Sequence, residues 1–122
     1  MEGYPVSARL DRPDQEIVIL VTAPSEEEAE KIGRALVEAG LIACANILPG
    51  IRSIFFWEGK VTQEQECLLL LKSRGELFEA ITVAVKSLHS YTVPEIIALP
   101  ITRGSQDYLA WIREVTARAH EK

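Results

Sequence analysis

The first fifteen residues, MEGYPVSARLDRPDQ, keep no hydrophobic period and so offer no face to bury. They read as a tail ahead of one domain over 16–119. From Glu16 onward the pattern sharpens, because IVILVTA is a continuous apolar run of strand length. Such a run marks a strand covered on both faces or lying at the centre of a sheet. Pro24 ends it. Ser25 then stands at the N-cap of a helix, with Glu28 at the capping-box position and Glu26, Glu27 and Glu28 near the positive helix end. Ala29, Ile32, Leu36 and Val37 form that helix's apolar stripe, and Gly40 supplies its stop.

Residues 43–57 and 61–73 are two long strand-like runs joined by Glu58-Gly59-Lys60, a connection suited to a hairpin. Pro49-Gly50 interrupts the first arm and predicts a bulge or bend there. Arms of this length reach roughly 40–50 Å, whereas a sixteen-residue helix covers only about 24 Å. The hairpin therefore overhangs its own domain and exposes Ile54, Phe55, Phe56 and Trp57, a hazard unless another chain covers them. Oligomerisation follows as an expectation from length alone.

The spacing predicts a second amphipathic helix over 76–88, with Leu77, Phe78, Ile81, Val85 and Leu88 inward, and a short strand over 95–101. Ser105 caps a last helix carrying Leu109, Ile112 and Val115, flanked by Tyr108 and Trp111. The order β-α-β-β-α-β plus a terminal helix is an α+β, ferredoxin-like sandwich: one antiparallel sheet, helices on one face, and a long protruding hairpin.

Charge narrows the function. Thirteen Lys and Arg against 18 Asp and Glu give a net charge of -5 with no basic run, which argues against nucleic acid as a partner. No apolar stretch approaches the roughly 20 residues needed to span a bilayer, so no membrane partner is expected. With only two cysteines the chain has the usage of a reducing compartment, and a cytoplasmic location is expected. Hairpin pairing with partner numbers summing to about 117 sets Cys44 near Ser73 and Cys67 near Gly50, too far apart for a disulfide. Both read as free thiols.

Candidate chemistry concentrates in HSYTVPE. His89, Tyr91 and Glu95 either line one cleft, or are a helix-ending His on the last carbonyls, a Tyr over the core edge and a surface Glu. His120 reads as a tail residue. Lys72 follows LLLL and emerges from the core where an anion can meet it, while Glu64 and Glu66 share its face by alternation. The sequence carries no phosphate-binding, nucleophile-elbow or other catalytic motif, and the three glutamates after Thr22-Ala23-Pro24-Ser25 repel an acyl phosphate. A non-enzymatic role is expected.

The segments CANILPGI, FFWEGKV, LLLLKS, HSYTVPEIIALPI and GSQDYLAWI, in this order and spacing, resemble the CutA family of divalent-cation tolerance proteins over about residues 16–116. The resemblance implies a ferredoxin-like subunit, a homotrimer in which long strands pair between chains, and architectural kinship with the PII signalling proteins. It further implies a response to metal ions and binding of copper or another divalent cation through a first-strand Cys and a His pair after the second helix. Those positions are Val21 and Leu88-His89 here, so His89 is the retained metal-ligand candidate. The resemblance also brings Trp57, Lys72, Tyr91 and Glu95 to an intersubunit cleft as ligand-binding candidates. The alternative function is a PII-like module sensing a nucleotide or small ligand.

Overall fold

The computed structural model describes residues 14–121. Residues 1–13 and the side chain of His120, both read above as tail, lie outside what is described. The elements are β1 (Glu16–Ala23), α1 (Glu26–Glu38), β2 (Cys44–Trp57), β3 (Lys60–Arg74), α2 (Phe78–Leu88) after a 3-10 turn, β4 (Ile96–Pro100) and α3 (Gln106–Thr116). The four strands form one sheet in the order β2-β3-β1-β4 with every neighbour antiparallel, the expected split-βαβ arrangement.

β1 lies inside the sheet between β3 and β4, which is why its apolar run hardly alternates. On the helix side, Ile19, Val21, Leu69 and Leu71 are fully buried against Ile32 and Leu36 of α1 and Ile81 and Val85 of α2. Ser25 caps α1 by accepting the Glu28 amide at 3.2 Å. One inward position of α1 escapes the apolar pattern: Gly33, whose absent Cβ would sit 3.0 Å from Cβ of Ala45, lets the helix press onto β2. The domain end is tied in as well, since the buried Gln15 donates to the Ile101 carbonyl at 3.0 Å.

The α3 helix closes the same end. Arg113 pairs with Glu16, and Arg74 donates to the Thr116 hydroxyl at 2.9 Å. Arg118, just past α3, donates to the Val37 carbonyl at 2.8 Å, and its Cβ comes within 3.0 Å of where a Cβ on Gly40 would stand.

The hairpin is as long as expected and differs in one detail. Leu48 pairs with Leu68 but Ile51 pairs with Glu66, so Pro49 and Gly50 together face Cys67. This bulge moves the lower ladder by one residue: Cys44 stands opposite Lys72, not Ser73, while Cys67 remains beside Gly50. The same extra residue inverts the parity of β2, so that Phe55 and Trp57 continue the face of Cys44, Asn46 and Leu48.

β1 pairs only with residues 67–74 of β3, leaving residues 60–66 to project roughly 23 Å beyond it. Along that overhang Ile54 is 67%, Phe56 71%, Val61 71% and Trp57 51% exposed. The tip turns through Glu58 (φ 50) and Gly59 (φ 83), the doubly left-handed geometry of a two-residue hairpin loop. Gly59 adopts it freely, whereas Glu58 carries a Cβ there at a cost of about 1–2 kcal/mol. Glu58→Asn is accordingly expected to stabilise the protein by about 0.5–1 kcal/mol. Thermal unfolding at fixed protein concentration checks this, and a lowered midpoint would refute it.

Candidate functional site

The polar groups of interest gather where β1 ends. Ala23 is the last residue of β1 to pair, opposite Cys67, so Glu66 is the first residue of β3 without a β1 neighbour. The chain leaving α2 comes back to this corner. His89 ends α2 with its amide on the Val85 carbonyl at 2.9 Å, and its ring reaches across to β1. Nε2 lies 2.7 Å from the Thr22 carbonyl oxygen, which can only accept, so Nε2 carries the proton. Nδ1 then accepts the Tyr91 amide at 3.0 Å. The imidazole side chain is fully buried in this arrangement.

Glu28 serves the same corner. From the capping-box position its Oε2 accepts both the Ser90 amide at 2.8 Å and the Ser90 hydroxyl at 3.1 Å, and it lies 3.3 Å from His89 Nδ1. Its carboxylate thus fastens the turn after α2 to the start of α1. Tyr91 tilts against His89 with ring centroids 4.7 Å apart and donates its hydroxyl to the buried Glu66 carboxylate at 2.6 Å. Burial first, then the bonded Glu66 and the fields of Glu64 and Glu28, push the Tyr91 phenol above its ordinary range. A cavity of about 260 Å³ lies between the Pro49-Gly50 bulge and the start of α1, with Glu26, Gln65, Glu66 and Cys67 in its wall.

The sequence candidates divide sharply. His89 and Tyr91 are in ring contact, and Glu95 is exposed immediately before β4, whose Ile96 pairs with Val21 of β1. Trp57 and Lys72 are elsewhere: Trp57 pairs with Lys60, so the two lie twelve residues apart along β3, roughly 40 Å, with Glu66 midway. Within one chain no small ligand touches all five. Lys72 donates to Asn46 Oδ1 and lies 4.0 Å from Cys44 Sγ. Both His89 ring nitrogens are engaged by the chain itself, and neither reaches the last carbonyls of α2. Among the described residues no three His, Cys, Asp or Glu side chains converge as a metal cage. The residues of a single chain therefore do not fit a bound metal ion.

Thr22, Glu28, Glu66 and Ser90 complete the corner, and sequence reasoning gave them no part in it. Glu66 alone had a readable signal, because β1 is shorter than β3 and some carboxylate had to stand at the end of their pairing.

The family model described as CutA1 divalent ion tolerance protein matches residues 17–115. The chain belongs to the CutA1 divalent ion tolerance family. Divalent-cation tolerance protein CutA of Thermus thermophilus is 54% identical over 101 residues, covering 83% of this chain and 98% of its own. Its solved structure superposes with a TM-score of 0.80 over 81% of this chain and 96% of that one. The Archaeoglobus fulgidus structure, described as periplasmic divalent cation tolerance protein CutA, gives a TM-score of 0.81 at 46% identity, covering 83% and 98%. Protein CutA, chloroplastic, of Arabidopsis thaliana is 48% identical across 82% of this chain, which spans only 55% of that longer relative. Among the described residues no helix is long and apolar enough to cross a membrane, consistent with the family fold.

In this CutA1 family member the Tyr91–Glu66 bond is expected to support the fold. Tyr91→Phe removes a hydrogen bond to a charged acceptor and should cost about 1–2 kcal/mol at neutral pH. Because folding holds the phenol proton more tightly than the unfolded chain does, that stabilisation is complete below about pH 10 and is lost as pH rises above it. Melting temperatures at about pH 8 and about pH 11 should show the gap between wild type and Tyr91→Phe narrowing. A constant gap would contradict this reading.

Proposed function

We propose that the chain acts in divalent-cation tolerance as a non-catalytic homotrimer that takes a metal ion or small cationic ligand at clefts shared between subunits. The observation that carries this reading is the acidic setting of Tyr91 at the foot of the overhanging arm, where Glu28, Glu64 and Glu66 all act on one phenol. Three carboxylates around one hydroxyl attract cations and repel anions.

The same corner is incomplete in one chain. Among its described residues no three His, Cys, Asp or Glu side chains converge on one point, while the arm projects past it with apolar side chains uncovered. A neighbouring copy that covers the arm completes both. In that assembly Trp57 and Lys72 of neighbouring subunits approach the His89–Tyr91 pair and Glu95, which a single chain does not allow. Copper is one such cation, and His89 would ligate it only after Nδ1 gives up the Tyr91 amide. The names of the relatives support a role in divalent-cation tolerance, and the two free thiols support a reducing, cytoplasmic setting.

A PII-like role, with a nucleotide in the same clefts, places phosphates against Glu26, Glu28 and Glu66. The charge disfavours it. Calorimetric titration of the metal-free protein with Cu(II), Zn(II) and ATP separates the readings. Saturable cation binding that weakens roughly tenfold in Glu66→Gln, the loss of one charged contact worth on the order of 1–3 kcal/mol, is expected. Heat from ATP with silence toward both metals would overturn the proposal in favour of nucleotide sensing.

A further inference from the structure

Away from that corner, the other end of the hairpin holds a thiol and an amine directly opposite each other. Cys44 on β2 and Lys72 on β3 are ladder partners. Their Nζ and Sγ atoms lie 4.0 Å apart. Both address one oxygen: Asn46 Oδ1 accepts from Lys72 Nζ and lies 3.6 Å from Cys44 Sγ. The Tyr108 phenol of α3 feels the same sulfur: burial first, then that thiol, pushes it up. We infer that Cys44 and Lys72 are a peroxide-responsive pair that closes into a covalent sulfenamide bridging β2 and β3.

Three features support this chemistry. Cys44 is half-buried, within reach of an oxidant as small as hydrogen peroxide, whereas Cys67 is only 4% exposed and burial pushes its thiol up. A sulfenic acid at Cys44 has no second thiol to resolve it. Cys67 lies five ladder positions away, roughly 17 Å, well beyond the roughly 7 Å that a disulfide tolerates between Cα atoms. The nucleophile at hand is therefore nitrogen, and sulfenic acids do condense with nitrogen. Directly opposed residues of an antiparallel ladder also have Cβ atoms only about 5 Å apart, so the lysine stem closes the gap by rotation without moving backbone.

The steps balance. The Cys44 sulfur attacks one peroxide oxygen, the O–O bond breaks, and the departing hydroxide takes up the thiol proton as water, leaving a sulfenic acid with sulfur oxidised and peroxide reduced. Nζ of Lys72 then attacks that sulfur through its lone pair. The S–N bond forms, the S–O bond breaks, and hydroxide leaves as water with a proton from nitrogen. The protein loses two hydrogens and one peroxide becomes two waters. An added thiol reverses the bridge by attacking sulfur and expelling the amine.

The test is intact mass and proteolytic mapping of the full native chain after equimolar hydrogen peroxide. Expected are loss of two hydrogens, one peptide joining the Cys44 and Lys72 segments, failure of trypsin to cut after Lys72, and recovery of the starting mass with dithiothreitol. Lys72→Arg, which keeps a cation near Asn46, should block the bridge and leave oxygen on Cys44, while Cys67→Ser should leave the bridge intact. Oxygen added to Cys44 of the wild type without a joined peptide would overturn the inference, as would a disulfide between two chains or no reaction at all. The wild-type map decides the matter even if the Lys72 variant fails to fold.

Discussion

The pairing of β2 with β3 outruns the domain that carries it, and most of what is distinctive in the molecule follows from that mismatch. β3 has fifteen residues and β1 covers eight of them. The remainder is held on one side by β2 alone, with apolar side chains on both faces and an unpaired backbone edge. A two-stranded ribbon of this kind is marginal by itself in water, and an exposed edge of this composition invites pairing with another strand. The core beneath it is ordinary and complete. The arm is what remains unsatisfied, and that is the physical ground for the proposed assembly.

The corner at the end of β1 is the second consequence. Where β1 stops, the Glu66 carboxylate would stand buried without a strand beside it. The segment after α2 fills that position: His89 donates to the Thr22 carbonyl near the end of β1, Tyr91 caps Glu66, and Glu28 secures Ser90 from α1. His89, Tyr91, Glu66 and Glu28 each have a partner in this corner, which is the condition for tolerating them there. A rigid, acidic corner results at the foot of an arm whose other side awaits a neighbour. Structural fastening and the proposed ligand recognition draw on the same side chains, so a ligand taken by Tyr91 or Glu66 would act directly on how α1, α2 and the arm are joined.

Much of this was readable in the residues. The continuous run of β1, the Ser25 and Ser105 caps, the Gly40 stop and the Glu58-Gly59 turn each have a local cause, and each element forms where that cause predicts. Pro49-Gly50 announced a bulge, but a break in the pattern does not say how many residues face the partner strand. The one-residue move that sets Cys44 against Lys72 therefore emerged only from the ladder. The site was less legible. His89 and Tyr91 are two residues apart and their contact is local, whereas Ser90 with Glu28 and Tyr91 with Glu66 are contacts between residues distant in sequence, fixed by how strands of unequal length end. Gly33 carried a signal easily passed over: a glycine on the inward face of a helix marks close approach of backbone, here to Ala45.

The central claim is that the arm compels assembly and that the shared cleft exists only in the assembled form. Sedimentation equilibrium of the full chain at micromolar concentration tests it most directly. The account predicts a single species of three times the 13.6 kDa chain mass. A stable species at 13.6 kDa, folded and with its arm exposed to solvent, would contradict it.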